Sequence, residues 1–457
     1  MSKMSSRSKF PRNARPFRRL PRPRPWWSNS YKPKGPEPPV RGRRVFVTGL
    51  GFVSPHGEDP EAVFERICSS ESAIRLARTG TPEFGADVLL ASIDFEPGDR
   101  IGKVDRLSMA RASQMAVVAT RNALDRSGLM TEGSGPEEAG VYMGCGLGGA
   151  EVLQQSYRTY FERRSRRVRP TTVPMIMASG PASQVSMSFD IRGPAHTYSV
   201  ACASSAVAIG EAFRSIRDGY AHVAIAGGAE AMLNDGTVAA WQAVGVIAKL
   251  HPDGAEASCR PFDSGRTGLV LGEGAVTLIL ESEERAEARG AEPIAEIVGF
   301  GASSDAHKLT EPSVGGQERA IREALEDAHL PADTVGYINA HATGTPAGDP
   351  VEIEAIKRMF GPAAQNLAVS STKSTHGHLV GASGALECAI TALALRERRI
   401  PPTANLTSPD SACDLDCVAG EARDAPDLEV ALSNSFAFGG SNATLVLRRF
   451  DRGRLDA

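Results

Sequence analysis

The chain contains no run of about 18 consecutive apolar residues, so no membrane-spanning helix is expected. Cysteine is sparse and odd in number. Seven are scattered through 457 residues, which is not the spacing of a disulfide framework. Cys413 and Cys417 are the only close pair, and no histidine or cysteine pair nearby completes a zinc pattern. No H-E-x-x-H motif occurs. A reducing, cytoplasmic setting fits this cysteine usage best. Acidic residues are missing from the first 36 positions, which carry eleven Lys and Arg. Taking those eleven from the net charge of −3 leaves −14 on the remainder. The basic segment, with Arg18-Arg19-Leu20-Pro21-Arg22-Pro23-Arg24-Pro25, is too rich in proline and charge to pack. It could serve as an arm for nucleic acid or anionic lipid, as a transit peptide, or as a disordered extension. Proline breaks the amphipathic helix a transit peptide needs, so residues 1–42 are expected to be a disordered tail without a nucleic-acid partner.

The rest has ordinary globular composition, 41% hydrophobic and 23% charged, and is longer than one core usually serves. Buried strands are expected at 45–51, 140–144, 197–201, 222–228 and 274–280. Helical patterns fall near 60–69, 105–127 and 150–163. The series then restarts, at 294–301, 335–339, 367–371, 429–434 and 440–447, with a helix near 379–396. Val45 to Gly51 and Ile294 to Gly301 both run into a Gly-x-Gly turn, and 440–447 echoes 274–280. Five elements repeated in order predict two α/β halves, 43–290 and 291–450, followed by a short tail at 451–457.

The chemistry centres on Ser199-Val200-Ala201-Cys202-Ala203-Ser204-Ser205-Ala206. Beyond Cys202, the apolar residues Ala206, Ile209, Phe213 and Ile216 recur at helical spacing, and Gly219 stands at the helix C′ position. Cys202 is therefore expected between a strand and a helix N-terminus, where free N–H groups and the helix dipole lower a thiol pKa and make it nucleophilic. A cysteine alone is as readily a small buried apolar residue. The second half adds partners: His341 in Asn339-Ala340-His341-Ala342-Thr343-Gly344-Thr345, and Lys373 and His378 in Ser371-Thr372-Lys373-Ser374-Thr375-His376-Gly377-His378. If the halves pack about a pseudo-twofold axis, these strand ends converge on Cys202.

Rival motifs fail on context. Gly144-Cys145-Gly146-Leu147-Gly148-Gly149 matches G-x-G-x-x-G, but an Arg/Pro run lies where the ribose-binding carboxylate belongs. Ser370-x-x-Lys373 lacks the S-D-N and K-T-G companions of a β-lactamase. A metal at His376, His378 and Asp349 would be repelled by the nearby lysine, so no metal site is expected. A cysteine hydrolase using Cys202 and His341 remains the serious competitor.

The segments Val200 to Ser204, Asn339 to Thr345, Ser371 to His378 and Asn434-Ser435-Phe436-Ala437-Phe438-Gly439-Gly440 resemble the elongating β-ketoacyl-[acyl-carrier-protein] synthases, over about residues 43–449. The opening Arg44 to Gly51 and Arg260-Pro261-Phe262-Asp263 are similar too. The resemblance implies a thiolase fold, two duplicated halves in a five-layer αβαβα core, and an acyltransferase of the EC 2.3.1 class. It also implies a dimer, with itself or with a related ketosynthase-like subunit. By resemblance Cys202 accepts the acyl chain, His341 and His378 stabilise the enolate from malonyl-carrier protein, and Lys373 acts with Glu387. The N–H groups of Cys202 and Phe438 form the oxyanion hole, and Phe438 gates the pocket. Thr343 and Thr345 hold the phosphopantetheine arm, and Leu147 walls the acyl pocket. No cofactor of its own is implied, since acyl carrier protein brings the phosphopantetheine.

Two departures stand out. Arg266-Thr267-Gly268 replaces Arg-Asp-Gly, and Thr171 to Met175 replaces a commonly aromatic stretch, so chain-length preference does not transfer. A basic run, Arg163 to Arg169, could steer an acidic carrier or be a solvated loop. A hydrolase would release free acid without malonyl-carrier protein. A non-catalytic partner subunit would tolerate loss of Cys202. The fatty-acid and polyketide branches share all these residues.

Overall fold

The computed structural model describes residues 42–80 and 85–451; the expectations for the two tails lie outside these, apart from Gly42 and Asp451. Ten strands form the central sheet. In chain order they are β1 Val45–Val53, β2 Gly140–Gly144, β3 Ala195–Tyr198, β4 Val223–Glu230 and β5 Gly274–Ser282. The second five are β6 Ala295–Ser304, β7 Tyr337–Asn339, β8 Ala368–Ser370, β9 Val430–Phe436 and β10 Ser441–Arg449. The helices that matter to the site are α1 Arg111–Ser127, α2 Ala150–Phe161, α3 Ser204–Arg217, α4 Asp235–Val244, α5 Val314–Asp327, α6 Gly348–Phe360 and α7 Ser383–Glu397.

The strand order is β8-β7-β9-β10-β6-β1-β5-β4-β2-β3. Read outward from the middle, it is β1-β5-β4-β2-β3 one way and β6-β10-β9-β7-β8 the other, the same sequence shifted by five. Strand directions repeat as well. Within each half two antiparallel pairings are followed by two parallel ones. The halves join where Val45, Phe46 and Val47 pair antiparallel with Ile297, Glu296 and Ala295. The duplication reaches individual residues. Register slips at Thr48 in one half and at Val298 in the other. The glycines just beyond let a helix lie on the strand. A Cβ at Gly51 would collide with the Ala119 carbonyl of α1, and one at Gly301 with the Ala320 carbonyl of α5.

The layers follow from burial. Helix α1 covers the outer face of the first five strands, α5 and α6 cover that of the second, and α3 and α7 lie between. α7 is buried along almost its whole length, from Ser383 to Leu395, as a helix sandwiched between layers must be. The middle core draws Phe52, Phe213, Phe300, Leu386 and Leu445 from both halves. An outer core on each side holds residues such as Met115 and Phe189, or Ile338 and Ile356. This is the five-layer thiolase fold.

The third strand ends earlier than its β-prone run, at Tyr198 rather than Ala201. The N–H of Val200 donates to Ser204 Oγ (2.9 Å) instead of to a neighbouring strand, and Ala201 has φ +51°, which no strand accommodates. Among the described residues no helix is long and apolar enough to cross a membrane. All seven cysteines are free and buried.

Candidate active site

Cys202 sits in a single 3₁₀ turn, Ala201–Ala203, immediately before α3. Ser204, the first residue of α3, ties this elbow: its hydroxyl accepts from Val200 N–H and donates to the Ala201 carbonyl (2.6 Å). The second half builds the same elbow. Val380–Ala382 is a 3₁₀ turn, Val380 has φ +46°, and α7 follows at Ser383. Ala201-Cys202-Ala203-Ser204 thus corresponds to Val380-Gly381-Ala382-Ser383, with glycine in the place of Cys202. That correspondence was not extracted from the sequence, because only the serines and one alanine match.

Two segments aim at the sulfur. His378 precedes the second elbow, and its Nε2 lies 3.0 Å from Cys202 Sγ. Its Nδ1 shares a 2.8 Å hydrogen bond with Ser383 Oγ. His341 follows β7, with its ring centroid 5.3 Å from that of His378 in an edge-to-face arrangement. The sulfur and one ring nitrogen of each histidine all lie within 4.8 Å of one another. The backbone N–H groups of His341 and Ala342 donate to the buried Glu352 carboxylate on α6 (2.9 and 2.8 Å), fixing where His341 leaves the strand. Lys373 is buried behind the histidines and pairs with Glu387 on α7 at 2.5 Å.

The charge states follow from burial. Both imidazoles are pushed well below the ordinary 6.5, chiefly by loss of hydration and then by the Lys373 charge, so they are neutral. Burial pushes the carboxyls of Glu387 and Glu352 up to about 7. The thiol departs from the sequence expectation. Its position at the helix start is as expected, yet burial pushes Cys202 up to about 12, outweighing Lys373 and the N–H of Phe438, both of which favour the thiolate. At rest this is a neutral thiol beside a neutral imidazole.

One cavity receives Cys202, His341 and His378, together with Thr343, Thr345 and Phe438. Thr345 Oγ1 accepts from Thr343 Oγ1 (3.2 Å) and from Gly348 N–H (3.1 Å). Arg266 holds this loop by donating to the carbonyls of Thr345 and Pro346 (3.2 Å each) while pairing with Asp410 at 2.6 Å. Thr267 Oγ1 accepts from Lys249 N–H (3.0 Å), so the threonine of the altered Arg-Thr-Gly loop has a partner. Phe438 stacks on Trp241 of α4, centroids 5.8 Å apart and planes 24° apart. Trp241, the only tryptophan outside the basic tail, was overlooked in the sequence. An aromatic on a helix remote from every motif gives no local hint that it closes a cavity.

Leu147 is the exception to the convergence. Its N–H and that of Gly146 turn inward to the Glu230 carboxylate (3.2 and 2.8 Å). Its side chain is 49% exposed and faces a separate groove along α2, with Leu153, Tyr157 and Phe161. Within this chain it does not wall the cavity of Cys202.

A thiol on a strained elbow, flanked by two neutral imidazoles and a buried Lys-Glu pair in a thiolase fold, marks the class of condensing enzymes. Comparison with known proteins agrees. The family models described as Beta-ketoacyl synthase, N-terminal domain and C-terminal domain match residues 42–286 and 294–407. The chain belongs to the β-ketoacyl synthase family, which are acyltransferases. It is 39% identical over 414 residues to 3-oxoacyl-[acyl-carrier-protein] synthase 2 of Staphylococcus aureus (strain N315), covering 90% of this chain and 99% of the relative. A β-ketoacyl synthase structure from Burkholderia phymatum STM815 superposes with TM-score 0.83 and 37% identity, over 90% of this chain and all of that one. A complex of a type II PKS acyl-carrier protein with its ketosynthase bound to the hexaketide superposes with TM-score 0.81 and 27% identity, again over 90% and 100%.

Proposed function

We propose that this protein condenses an acyl thioester with malonyl-[acyl-carrier-protein], with loss of CO₂, to give 3-oxoacyl-[acyl-carrier-protein] in fatty-acid or type II polyketide synthesis. The observation that carries the reading is the meeting of Cys202, His341 and His378 within 4.8 Å at one cavity, from opposite halves of the fold.

In the first half-reaction Cys202 Sγ attacks the thioester carbonyl. The Sγ–C bond forms, the carrier's C–S bond breaks, and the thiol proton goes through solvent to the departing carrier thiolate, while His378 Nε2–H donates to the sulfur as it gives up its proton. The N–H groups of Cys202 and Phe438 stabilise the oxyanion. In the second, the malonyl C–C bond breaks to release CO₂, and the electron pair delocalises onto the thioester oxygen. His341 and His378 stabilise that enolate as neutral donors. Ser383 donating its hydroxyl to Nδ1 leaves the His378 proton on Nε2, facing the cavity. The carbanion attacks acyl-Cys202, and the released thiolate takes a proton from solvent. Decarboxylation supplies the drive, so no base need remove a C–H proton. The Lys373–Glu387 pair keeps both rings uncharged and in place. Thr343 and Thr345 hold the phosphopantetheine arm and Phe438 gates entry.

The partners are acyl carrier protein and a second ketosynthase-like chain, identical or related. The division of labour at about residue 290, nucleophile before it and imidazoles after, belongs to the same reading. His341→Ala and His378→Ala separate the half-reactions. Each is expected to keep acyl transfer to Cys202 while CO₂ release from malonyl-carrier protein falls about 10²–10³-fold, the usual cost of one lost oxyanion donor. Unchanged CO₂ release in both variants would remove the histidines from the mechanism.

A further inference from the structure

We propose that Cys202, His341 and His378 also form an inhibitory site for a soft divalent cation, Zn²⁺ above all, so that condensation is switched off by free zinc. One sulfur and two imidazole nitrogens from three separate segments lie within 4.8 Å of one another, with Nε2 of His378 3.0 Å from Sγ. A thiolate and two imidazoles are the donors zinc prefers, and three protein ligands with an open fourth position are a recurrent zinc arrangement. At Zn–N of about 2.0–2.1 Å and Zn–S of about 2.3 Å, tetrahedral ligand edges come to about 3.4–3.6 Å. The observed triangle reaches those edges by side-chain adjustments of about an ångström.

A second observation points the same way. Among the described residues nothing hydrogen bonds to the buried His341 Nδ1, and His378 can free Nε2 for an ion by carrying its proton on Nδ1 and donating it to Ser383 Oγ. The positive Lys373 nearby would oppose an ion, but its ammonium is paired with Glu387 at 2.5 Å, and the Glu352 carboxylate lies against the backbone of His341. The cavity lining includes the half-buried Thr345 and the exposed Ala347 and Leu309, so an ion has a way in. On binding, Cys202 S–H becomes a Zn–S bond, its proton goes to the buffer, and water fills the fourth position. Ion and acyl group compete for one sulfur.

The binding claim rests on geometry alone; the inhibition claim rests on the condensation reading. The test titrates the full-length protein with ZnCl₂ calorimetrically and, separately, with CoCl₂ as a spectroscopic stand-in. One ion per chain, one proton released, and a thiolate-to-cobalt charge-transfer band are expected. Cys202→Ser should abolish the band, and His341→Gln should weaken Zn²⁺ binding at least by the roughly 10–100-fold typical of outer-sphere changes. An experiment needing no variant is iodoacetamide labelling of wild-type Cys202, read by peptide mass: saturating Zn²⁺ should block it, and a chelator should restore both labelling and condensation. Labelling unaffected by Zn²⁺, or a Co²⁺ spectrum unchanged in Cys202→Ser, overturns the site. Charge transfer in a protein that cannot condense in metal-free buffer would sink the condensation reading and leave the ion site standing. Condensation indifferent to Zn²⁺ would do the reverse.

Discussion

At the scale of single residues, identity and charge state part company. Cys202, His341, Lys373 and His378 were all legible in the sequence, because each stands beside a strand end in a motif rich in small residues. The protonation of Cys202 was not. A helix start stabilises a thiolate by an amount of order 1 kcal/mol, whereas burial costs several, and burial cannot be read from neighbours in the chain. With the thiol held up to about 12, labelling of the free enzyme by iodoacetamide should keep rising about tenfold per pH unit from pH 7 to 9.5, following the thiolate fraction. A plateau near pH 8.5, as for an ordinary cysteine, would show that the dipole prevails after all. The histidines give the opposite sign. Their folded values lie well below 6.5, so they remain neutral donors as pH falls through 6.5, and the acid limb of condensation should lie below that of free imidazole. An activity loss centred on 6.5 would contradict this. Glu387 completes the set. Replacing it by Gln leaves Lys373 charged and unpaired at 1% side-chain exposure, which should cost about 3–5 kcal/mol, read from the urea midpoint.

At the scale of elements, the sequence located the strands of the central sheet and helices α1, α2, α3 and α7, but not α4, α5 or α6, and it missed how the chain turns into α3 and α7. The β-prone run before Cys202 ends three residues early because Ser204 captures the Val200 N–H, a side-chain hydrogen bond that strand patterns do not register. The resulting elbow holds Ala201 at positive φ, strain worth about 1–3 kcal/mol, and it recurs at Val380, where glycine follows in place of cysteine. The strain therefore belongs to the duplicated architecture and not to Cys202 alone. Close approach of α3 to β2 requires Gly144, where a Cβ would collide with the backbone of Ser204 and Ser205. Gly144→Ala is expected to destabilise the protein by about 1–3 kcal/mol and to slow acylation more than acyl-thioester binding, by shifting the α3 elbow relative to the N–H of Phe438. Loss of stability with an unchanged acylation rate would show that the elbow adjusts freely.

At the scale of the whole molecule, the five-on-five repeat in the sequence is the mirrored strand order of the fold, and it explains why a cysteine and two histidines about 140 and 176 residues apart meet. What the repeat could not reveal is that the halves share their main core, with α3 and α7 buried together, so that neither half is a self-contained hydrophobic unit. Nor did it show that Leu147 faces outward. The five arginines of the run 163–169 are exposed, beside the exposed ring of Phe161, which is the arrangement an acidic carrier would meet. Arg164→Glu with Arg167→Glu should raise KM for carrier-linked substrates and spare small thioesters; equal loss on both would place carrier docking elsewhere. The central claim, that the two halves exist to bring an acylated Cys202 against two imidazoles, is tested most directly by weighing the intact protein after acyl-carrier protein is added, and again after malonyl-carrier protein. A single acyl adduct on the Cys202 peptide, cleared by malonyl-carrier protein as 3-oxoacyl-carrier protein accumulates, is the expected result. An adduct that decays to free acid without malonyl-carrier protein, or product formed by Cys202→Ala, would contradict it.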